Sequence, residues 1–413
     1  MDRPDVVVVG GGAVGLCCAC ALARGGLRVL LVERKHPGAG ASWGNAGLVA
    51  PSRSLPLAEP GAVRRGLRWM LDPASPLYVP LRPDRALWTW LWRFRRSCTD
   101  FHVRRAVPLL VRLQRRSLEL YEQLVAEGLD FGWHRAGSLS AFLDEWEYWA
   151  FLHEVDLLRR EGIAAEMLDG EAAQGREPLL RPEVAGAVYF PHDAHLDPAA
   201  LVQALAQRAV RLGAEVRPGC DARLQRRGRT VVVQVEGQEM RPAAVVVAAG
   251  AWSGPLLRPV GVRLPVLPAK GYSVTLASRL LPRSPLMLSE ARVAVTPLPN
   301  REGSPQVRLA GTLELGVWGD IVNPRRVAAI REAASRYLRL DPEGGEVWAG
   351  LRPCTPDGLP VVGRPRGLAN VVVATGHGTL GISLAPVTGE LVAQLVTGEE
   401  REDLEPLSPD RFG

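Results

Sequence analysis

The chain has 413 residues, 47% of them hydrophobic and 23% charged, with a formal charge of +6 at pH 7. That length is too great for one small core, so two or three lobes are expected, and the composition is that of a globular protein rather than a disordered or fibrous one. All but two of the 50 cations, Lys35 and Lys270, are arginine; this reads as a compositional bias, and with no aromatic and basic residues interleaved as in a known RNA or DNA module, nucleic acid is set aside as a partner. The six cysteines, Cys17, Cys18, Cys20, Cys98, Cys220 and Cys354, include no CxxC pair and no histidine at metal spacing, so no metal is expected. No apolar run reaches the roughly 18 residues of a membrane span, and only Met1 to Asp5 precede the first strand; a cytoplasmic location is the expectation.

Val6 to Val9 reads as a buried strand, followed by Gly10-Gly11-Gly12-Ala13-Val14-Gly15, a helix through Ala23, a second strand Arg28 to Val32, and Glu33. Gly10 permits the tight strand-to-helix turn, Gly12 lets the backbone approach a pyrophosphate, and Gly15 lets the helix lie close on the strand. The helix N-terminus then directs free N–H groups and its positive dipole end at the phosphates. Glu33 follows where a carboxylate can accept from ribose hydroxyls. By itself this stretch predicts a dinucleotide, with NAD and FAD both open.

Gly40-Ala41-Ser42-Trp43-Gly44-Asn45-Ala46-Gly47 is a second run of small residues, in which Ser42 can donate to a phosphate oxygen. Helices are predicted over 64–71, 85–101 and 107–128. The middle one mixes Trp88, Trp90 and Trp92 with Arg93, Arg95 and Arg96; its tryptophans read as core and its arginines as a solvated face, with peripheral contact to an anionic membrane as the alternative. Strands over 131–145 and 185–191 belong to a second sheet. Asp197 caps a helix that opens on Pro198 and runs to Leu212. Strands over 230–235 and 243–248 return to the nucleotide domain, and the latter ends in the small-residue turn Ala249-Gly250-Ala251-Trp252. The Pro-rich stretch 262–315 reads as more of the second, antiparallel sheet, and 324–340 as a helix. A strand over 371–374, the loop Gly376-His377-Gly378-Thr379-Leu380-Gly381 and a helix over 382–396 close the chain.

In this order, GGGAVG, Glu33, GASWGNAGLVAPS, DPAALVQAL, VVVAAGAWS, KGYSVT, GLRPCTPDGLPVVG and ATGHGTLGISLAPVTGELVA resemble the D-amino-acid oxidase type of FAD-dependent amine oxidoreductases over residues 6 to about 398. The segments GNAGLVAPSRSLPLAEPG and TGHGTLGISLAP look most like the bacterial D-amino-acid dehydrogenase small-subunit group. The resemblance implies an α/β fold: a GR2-type, Rossmann-like FAD-binding domain assembled from 1–58, 192–258 and 345–413, plus an α+β substrate domain from 59–191 and 259–344 with an antiparallel sheet. It implies that Gly10, Gly12 and Gly15 cradle the pyrophosphate, Glu33 binds the ribose and Ser42 holds a phosphate, with Ala13, Val14 and Arg34 also among the cofactor-binding residues. Gly44, Asn45, Ala46 and Gly47 would pass beside the isoalloxazine, Leu48, Gly250 and Trp252 would also contact FAD, and Gly376, His377, Gly378, Thr379, Leu380 and Gly381 would line its pyrimidine edge.

The chemistry implied is oxidation of a D-amino acid, or of a D-proline or hydroxy-D-proline type imino acid, by hydride transfer to flavin N5. Arg352 stands where the family grips the substrate carboxylate, since a guanidinium forms two parallel bonds to it; Tyr272 is a second carboxylate contact, and His377 completes the predicted catalytic set. Lys270 is either a flavin neighbour or a strand end, and Asp357 shapes a turn. The FAD is expected to be non-covalent, because covalent relatives place a cysteine where Gly350 stands, five residues before Thr355-Pro356-Asp357. Electrons would pass to a quinone or the respiratory chain. Glycine or sarcosine oxidation with oxygen, and a flavoprotein subunit of a hetero-oligomer, remain open alternatives.

Overall fold

The computed structural model describes residues 4–70, 72, 75–298, 305–399 and 402–413. Its first centre is a six-stranded sheet with the strands in the order 361–363, 371–375, 244–247, 6–9, 29–33 and 215–218, parallel except for the antiparallel edge strand 361–363. The central strands are valine runs because both faces are covered. Val6, Val8 and Val246 face the helices Ala13–Arg24, Pro198–Arg211 and Ala385–Thr397. Val7, Val9, Val245 and Val247 face an antiparallel unit of strands 222–227, 230–235 and 238–240. The stretch 230–235 is thus part of this cover rather than of the parallel sheet. The first and last long helices meet backbone to backbone: a Cβ on Gly389 would lie 2.7 Å from the Cys17 carbonyl carbon. Cys17, Cys18 and Cys20 are buried in that packing.

The second centre is a nine-stranded sheet in the order 346–354, 267–277, 306–315, 293–298, 286–288, 138–142, 186–190 and 166–169, with the short strand 77–78 pairing beside 306–315. Strand Glu346–Cys354 pairs with Leu267–Ala277 over nine registers, so the expected boundary at residue 345 places this strand with the wrong sheet; its nine paired positions outweigh its sequence proximity to the closing nucleotide segment. Side-chain alternation gives the sheet two unlike faces. Tyr272, Val274, Leu276, Val295 and Leu309 pack on Val327, Ile330 and Tyr337 of helix Pro324–Tyr337. The opposite face carries Ser140, Thr296, Arg308, Ser273, Trp348 and Arg352, and it is turned toward the loop 43–45.

Helix Ala62–Trp69 occupies the first of the predicted 64–71 and 85–101 segments, and its expected end at Leu71 lies outside the described residues. Arg85–Ser97 and Asp100–Ala126 replace the other two predicted helices, the break falling at Thr99, whose Oγ1 caps the second by accepting from His102 N. Of the three tryptophans in the first, Trp90 is core and donates Nε1–H to the Cys354 carbonyl, while Trp88 and Trp92 are about half exposed at 50% and 56%. No helix among the described residues is long and apolar enough to cross a membrane.

Candidate active site

At the edge of the parallel sheet, the glycine turn is held by contacts that only glycine allows. Gly10 has φ +111°, and a Cβ on Gly15 would stand 1.9 Å from the Gly10 carbonyl oxygen. Glu33 accepts from the backbone N–H of Gly11 (2.7 Å) through one carboxylate oxygen and from Lys35 N–H (2.9 Å) through the other. Ser42 Oγ accepts from Ala13 N–H at 3.0 Å, at the mouth of the first helix. The strand, the glycine turn, Glu33 and the second small-residue loop are therefore brought together around one helix N-terminus. Beside it the Arg34 guanidinium lies 4.6 Å over the Trp252 ring, next to Gly250, where a Cβ would meet open space.

The second small-residue loop runs from there to the polar face of the large sheet. Arg308 ties the two together: its guanidinium donates to the carbonyls of Trp43 (3.2 Å) and Asn45 (3.0 Å) and to Thr275 Oγ1 (3.1 Å). Asn45 Oδ1 accepts from Gly47 N–H at 2.9 Å, which sets the turn. The Trp348 indole packs between glycines, for a Cβ on Gly44 would come within 2.2 Å of it and one on Gly350 within 1.9 Å. On the same face the side-chain oxygens of Ser273 and Thr296 are buried and make no hydrogen bond to a described residue.

Arg352 is positioned by a defect in the sheet. Between Lys270 and Tyr272 the pairing with strand 306–315 slips by one residue, and Thr312, in the bulge, adopts φ +59°. Left-handed backbone is costly for a β-branched residue; here it turns the Thr312 carbonyl to accept from Arg352 Nη1 at 2.6 Å. The guanidinium lies over Gly271, where a Cβ would stand 2.0 Å from Nη1. Burial lowers the Arg352 pKa from its ordinary value, and among the described residues no carboxylate pairs with it. A buried guanidinium with spare donors, beside a bare glycine, has the chemistry to hold an anion.

Two predicted catalytic side chains are not brought to this face. Tyr272 follows Gly271, so strand alternation sends its ring to the side of helix Pro324–Tyr337, where its hydroxyl donates to Glu314 Oε2 at 2.7 Å. Glu314 is further held by Arg326 Nε (3.3 Å) and Asn323 Nδ2 (3.2 Å). Burial first, and then the Glu314 carboxylate, raise the Tyr272 pKa. Tyr272, expected as a carboxylate contact, thus lies on the face away from Arg352 with its hydroxyl engaged in a buried hydrogen bond. Lys270, two residues earlier on that face and inside the strand, donates from Nζ to the Ile321 carbonyl.

His377, the third of the expected catalytic set, likewise turns its ring into the packing rather than toward Arg352. Its ring is buried with Nε2 3.0 Å from Thr388 Oγ1, in the closing helix, and burial lowers its pKa to about 4, which keeps the imidazole neutral. Its backbone pairs with Cys354, and Gly376 (φ +75°) and Gly378 (φ +55°) bend the loop on either side, ahead of the short turn Gly378–Leu380. Asp357 forms the expected turn, accepting from Leu359 N–H and pairing with Arg411.

Arg308, Trp348, Thr312 and Arg53 are the residues that sequence reading passed over. An arginine between the apolar Val307 and Leu309 in QVRLAGTLEL was the one visible signal; the others depend on register or on distant contacts.

These residues fit FAD. A Cβ on Gly12 would meet only Ser42 Oγ, at 3.3 Å, so the helix N-terminus is clear for a pyrophosphate, and the buried, unpartnered hydroxyls of Ser273 and Thr296 lie beyond the small-residue loop. A family model described as FAD dependent oxidoreductase matches residues 5–395. The chain belongs to this family. Two curated relatives in it, each named D-amino acid dehydrogenase, come from Methylobacterium radiotolerans and Methylobacterium nodulans; each is 36% identical to this oxidoreductase over 96% of both chains. Among solved structures, glycine oxidase from Geobacillus kaustophilus superposes with a TM-score of 0.80 at 26% identity, covering 99% of this chain and 98% of its own. The L-proline dehydrogenase of P. horikoshii shares the fold, with a TM-score of 0.74 at 21% identity over 100% of this chain and 98% of its own.

Proposed function

We propose that this oxidoreductase converts a D-amino acid, or a cyclic imino acid of the D-proline type, to the imine, which water hydrolyses to the 2-oxo acid. The observation that carries this reading is Arg352: a buried guanidinium, fixed by the Thr312 carbonyl over Gly271 and with no carboxylate paired to it among the described residues. The names of the 36%-identical relatives support the D-configuration. FAD, when bound, supplies the acceptor for hydride from the substrate α-carbon at N5. Gly10, Gly12, Gly15, Glu33 and Ser42 would hold its nucleotide half, and Gly44 to Gly47 with the loop Gly376–Gly381 the ring. The protein's part is orientation: Arg352 holds the carboxylate so that one α-substituent faces the ring.

Anaerobic titration of the holoenzyme with D- and L-alanine, D- and L-proline, glycine and sarcosine tests it. Bleaching by the D-series is expected, and bleaching only by L-amino acids would overturn it. The glycine oxidase superposition favours a second reading, glycine or sarcosine oxidation with oxygen, which predicts peroxide formed as fast as dye is reduced. We favour transfer of electrons to a quinone instead, and the half-exposed Trp88 and Trp92 among arginines support peripheral contact with a membrane. A flavin subunit with little activity alone would show no bleaching by any amine.

The cofactor is read as non-covalent. Cys354 is buried, its thiol pushed up to about 12 by burial, and so is poorly disposed to form a thioether. Flavin remaining in the supernatant after acid precipitation is the expected result.

A further inference from the structure

One aromatic ring stands between the Arg352 guanidinium and the small-residue loop, and the reaction proposed above gives it no part. Among the described residues of strands 267–277, 306–315 and 346–354, the face that carries Arg352 presents a single aromatic side chain, Trp348. Its neighbours along the register row, Ser273, Ala310 and Ala294, are buried, whereas Trp348 keeps part of its surface exposed. The indole runs along its own strand. A Cβ on Gly350 would stand 1.9 Å from Cη2, 2.5 Å from Cζ3 and 2.7 Å from Cζ2, the outer edge of the six-membered ring. From the loop side, a Cβ on Gly44 would stand 2.2 Å from both Cδ2 and Cε3, at the ring fusion.

The register relates this ring to Arg352. Gly350 and Gly271 are direct partners, and the Cβ positions of such a pair lie about 5 Å apart. The position at Gly350 falls on the indole edge and the one at Gly271 on the guanidinium, 2.0 Å from Nη1. Indole edge and guanidinium therefore adjoin across the two strands, while the ring fusion meets Gly44, in the loop that the proposed reaction sets beside the flavin. A substrate α-carbon is one bond, about 1.5 Å, from its carboxylate carbon, and the side chain starts one bond further. For a molecule whose carboxylate rests on Arg352 and whose α-carbon faces that loop, the indole is the adjoining apolar surface. The other neighbour of the guanidinium is the Thr312 carbonyl, a polar group already accepting from it, which offers nothing to an alkyl chain.

We propose that Trp348 is a specificity-determining residue: a flat apolar platform that receives the substrate side chain. Substrates with a compact apolar side chain, the five-membered ring of D-proline first among them, are then used in preference to glycine and sarcosine, whose α-carbon carries nothing to cover the indole. The inference rests on the amine-oxidation reading for the reaction, but the platform itself is tested by binding alone.

Cyclopentanecarboxylate and acetate, neither of which has an amine to oxidise, are titrated into the holoenzyme and followed by the flavin difference spectrum. Apolar burial scales with the methylenes covered, so cyclopentanecarboxylate is expected to bind the wild type at least tenfold more tightly than acetate. Trp348→Ala should bring that ratio below threefold while moving the acetate Kd by less than threefold, and Trp348→Phe, which keeps a flat ring, should retain most of the preference. In turnover, kcat/KM for D-proline is expected to exceed that for sarcosine at least tenfold, and the loss in Trp348→Ala to fall on KM rather than kcat. Equal binding of the two carboxylates by the wild type overturns the platform and needs no variant. So does an equal loss of both in Trp348→Ala, which would show the indole only propping the guanidinium. No flavin reduction by any amine, with cyclopentanecarboxylate still preferred through Trp348, would sink the oxidation reading and leave the platform standing; D-proline oxidised without that preference would do the reverse.

Discussion

Arg352 and Tyr272 stand on neighbouring strands, in motifs that invite the same reading, and they differ by which face of one sheet they occupy. That difference is testable one residue at a time. Arg352→Met removes the only guanidinium over Gly271 among the described residues and is expected to lower kcat/KM by the equivalent of about 2–4 kcal/mol, the scale for losing a buried charge-assisted pair, with FAD still bound. Tyr272→Phe removes a donor from the buried Glu314 carboxylate; urea unfolding should report a loss of about 1–2 kcal/mol, with KM for the amino acid nearly unchanged. A large rise in KM in Tyr272→Phe would restore the tyrosine to the substrate site. The histidines make a further prediction at this scale. Burial holds both His377 and His195 at a pKa of about 4, below the ordinary value of 6.5. Because the unfolded chain takes up these protons first, the stability they contribute is complete above pH 6.5 and is lost as pH falls from there through about 4. Each contributes a slope of up to about 1.4 kcal/mol per pH unit, so His377→Asn should flatten the fall of the urea midpoint between pH 7 and 5.

At the scale of elements, the site depends on places where regular structure is interrupted or bare. The bulge at Thr312 re-aims one carbonyl, and Gly271 opposite it leaves the space that the Arg352 guanidinium fills. Gly271→Ala would put a methyl carbon 2.0 Å from Arg352 Nη1; the flexible guanidinium yields more readily than the strand, so KM is expected to rise at least tenfold while the melting temperature changes little. Gly15→Ala is a different case, since its methyl carbon would meet the Gly10 backbone oxygen at 1.9 Å. Neither strand nor helix can move without opening the glycine turn, and purification without bound FAD is the expected outcome. If Gly15→Ala retained stoichiometric FAD, the role given to this turn would be wrong.

For the whole molecule, the proposed placement would set FAD between two cores, which Arg308 helps to join through its bonds to the 43–45 loop. Ligand bound across such a seam stabilises both sides. Adding FAD to the apoprotein at a hundred times its Kd should contribute about 2.7 kcal/mol, seen calorimetrically as a rise in the melting temperature that follows FAD concentration.

Much of this architecture was legible locally. The valine runs, the glycine turn, Glu33 and the Asp197 cap each carry their meaning within a few residues, because period, chirality and capping are short-range physics. The chain order of the motifs was sufficient to bring the family into view, and with it FAD. What remained hidden was the choice of face. A sheet side chain's destination depends on register and on bulges set by partners 30 to 80 residues away, and so sequence motifs grouped Tyr272, Lys270 and His377 with Arg352 while the tertiary structure sends them into separate packing. The same long-range pairing placed strand Glu346–Cys354 in the large sheet and set Arg53 against Ser140. The sequence by itself determined which cofactor fold this is; only the tertiary structure decided which side chains share the face of the Arg352 guanidinium, because strand pairing, not proximity along the chain, sets what stands beside it.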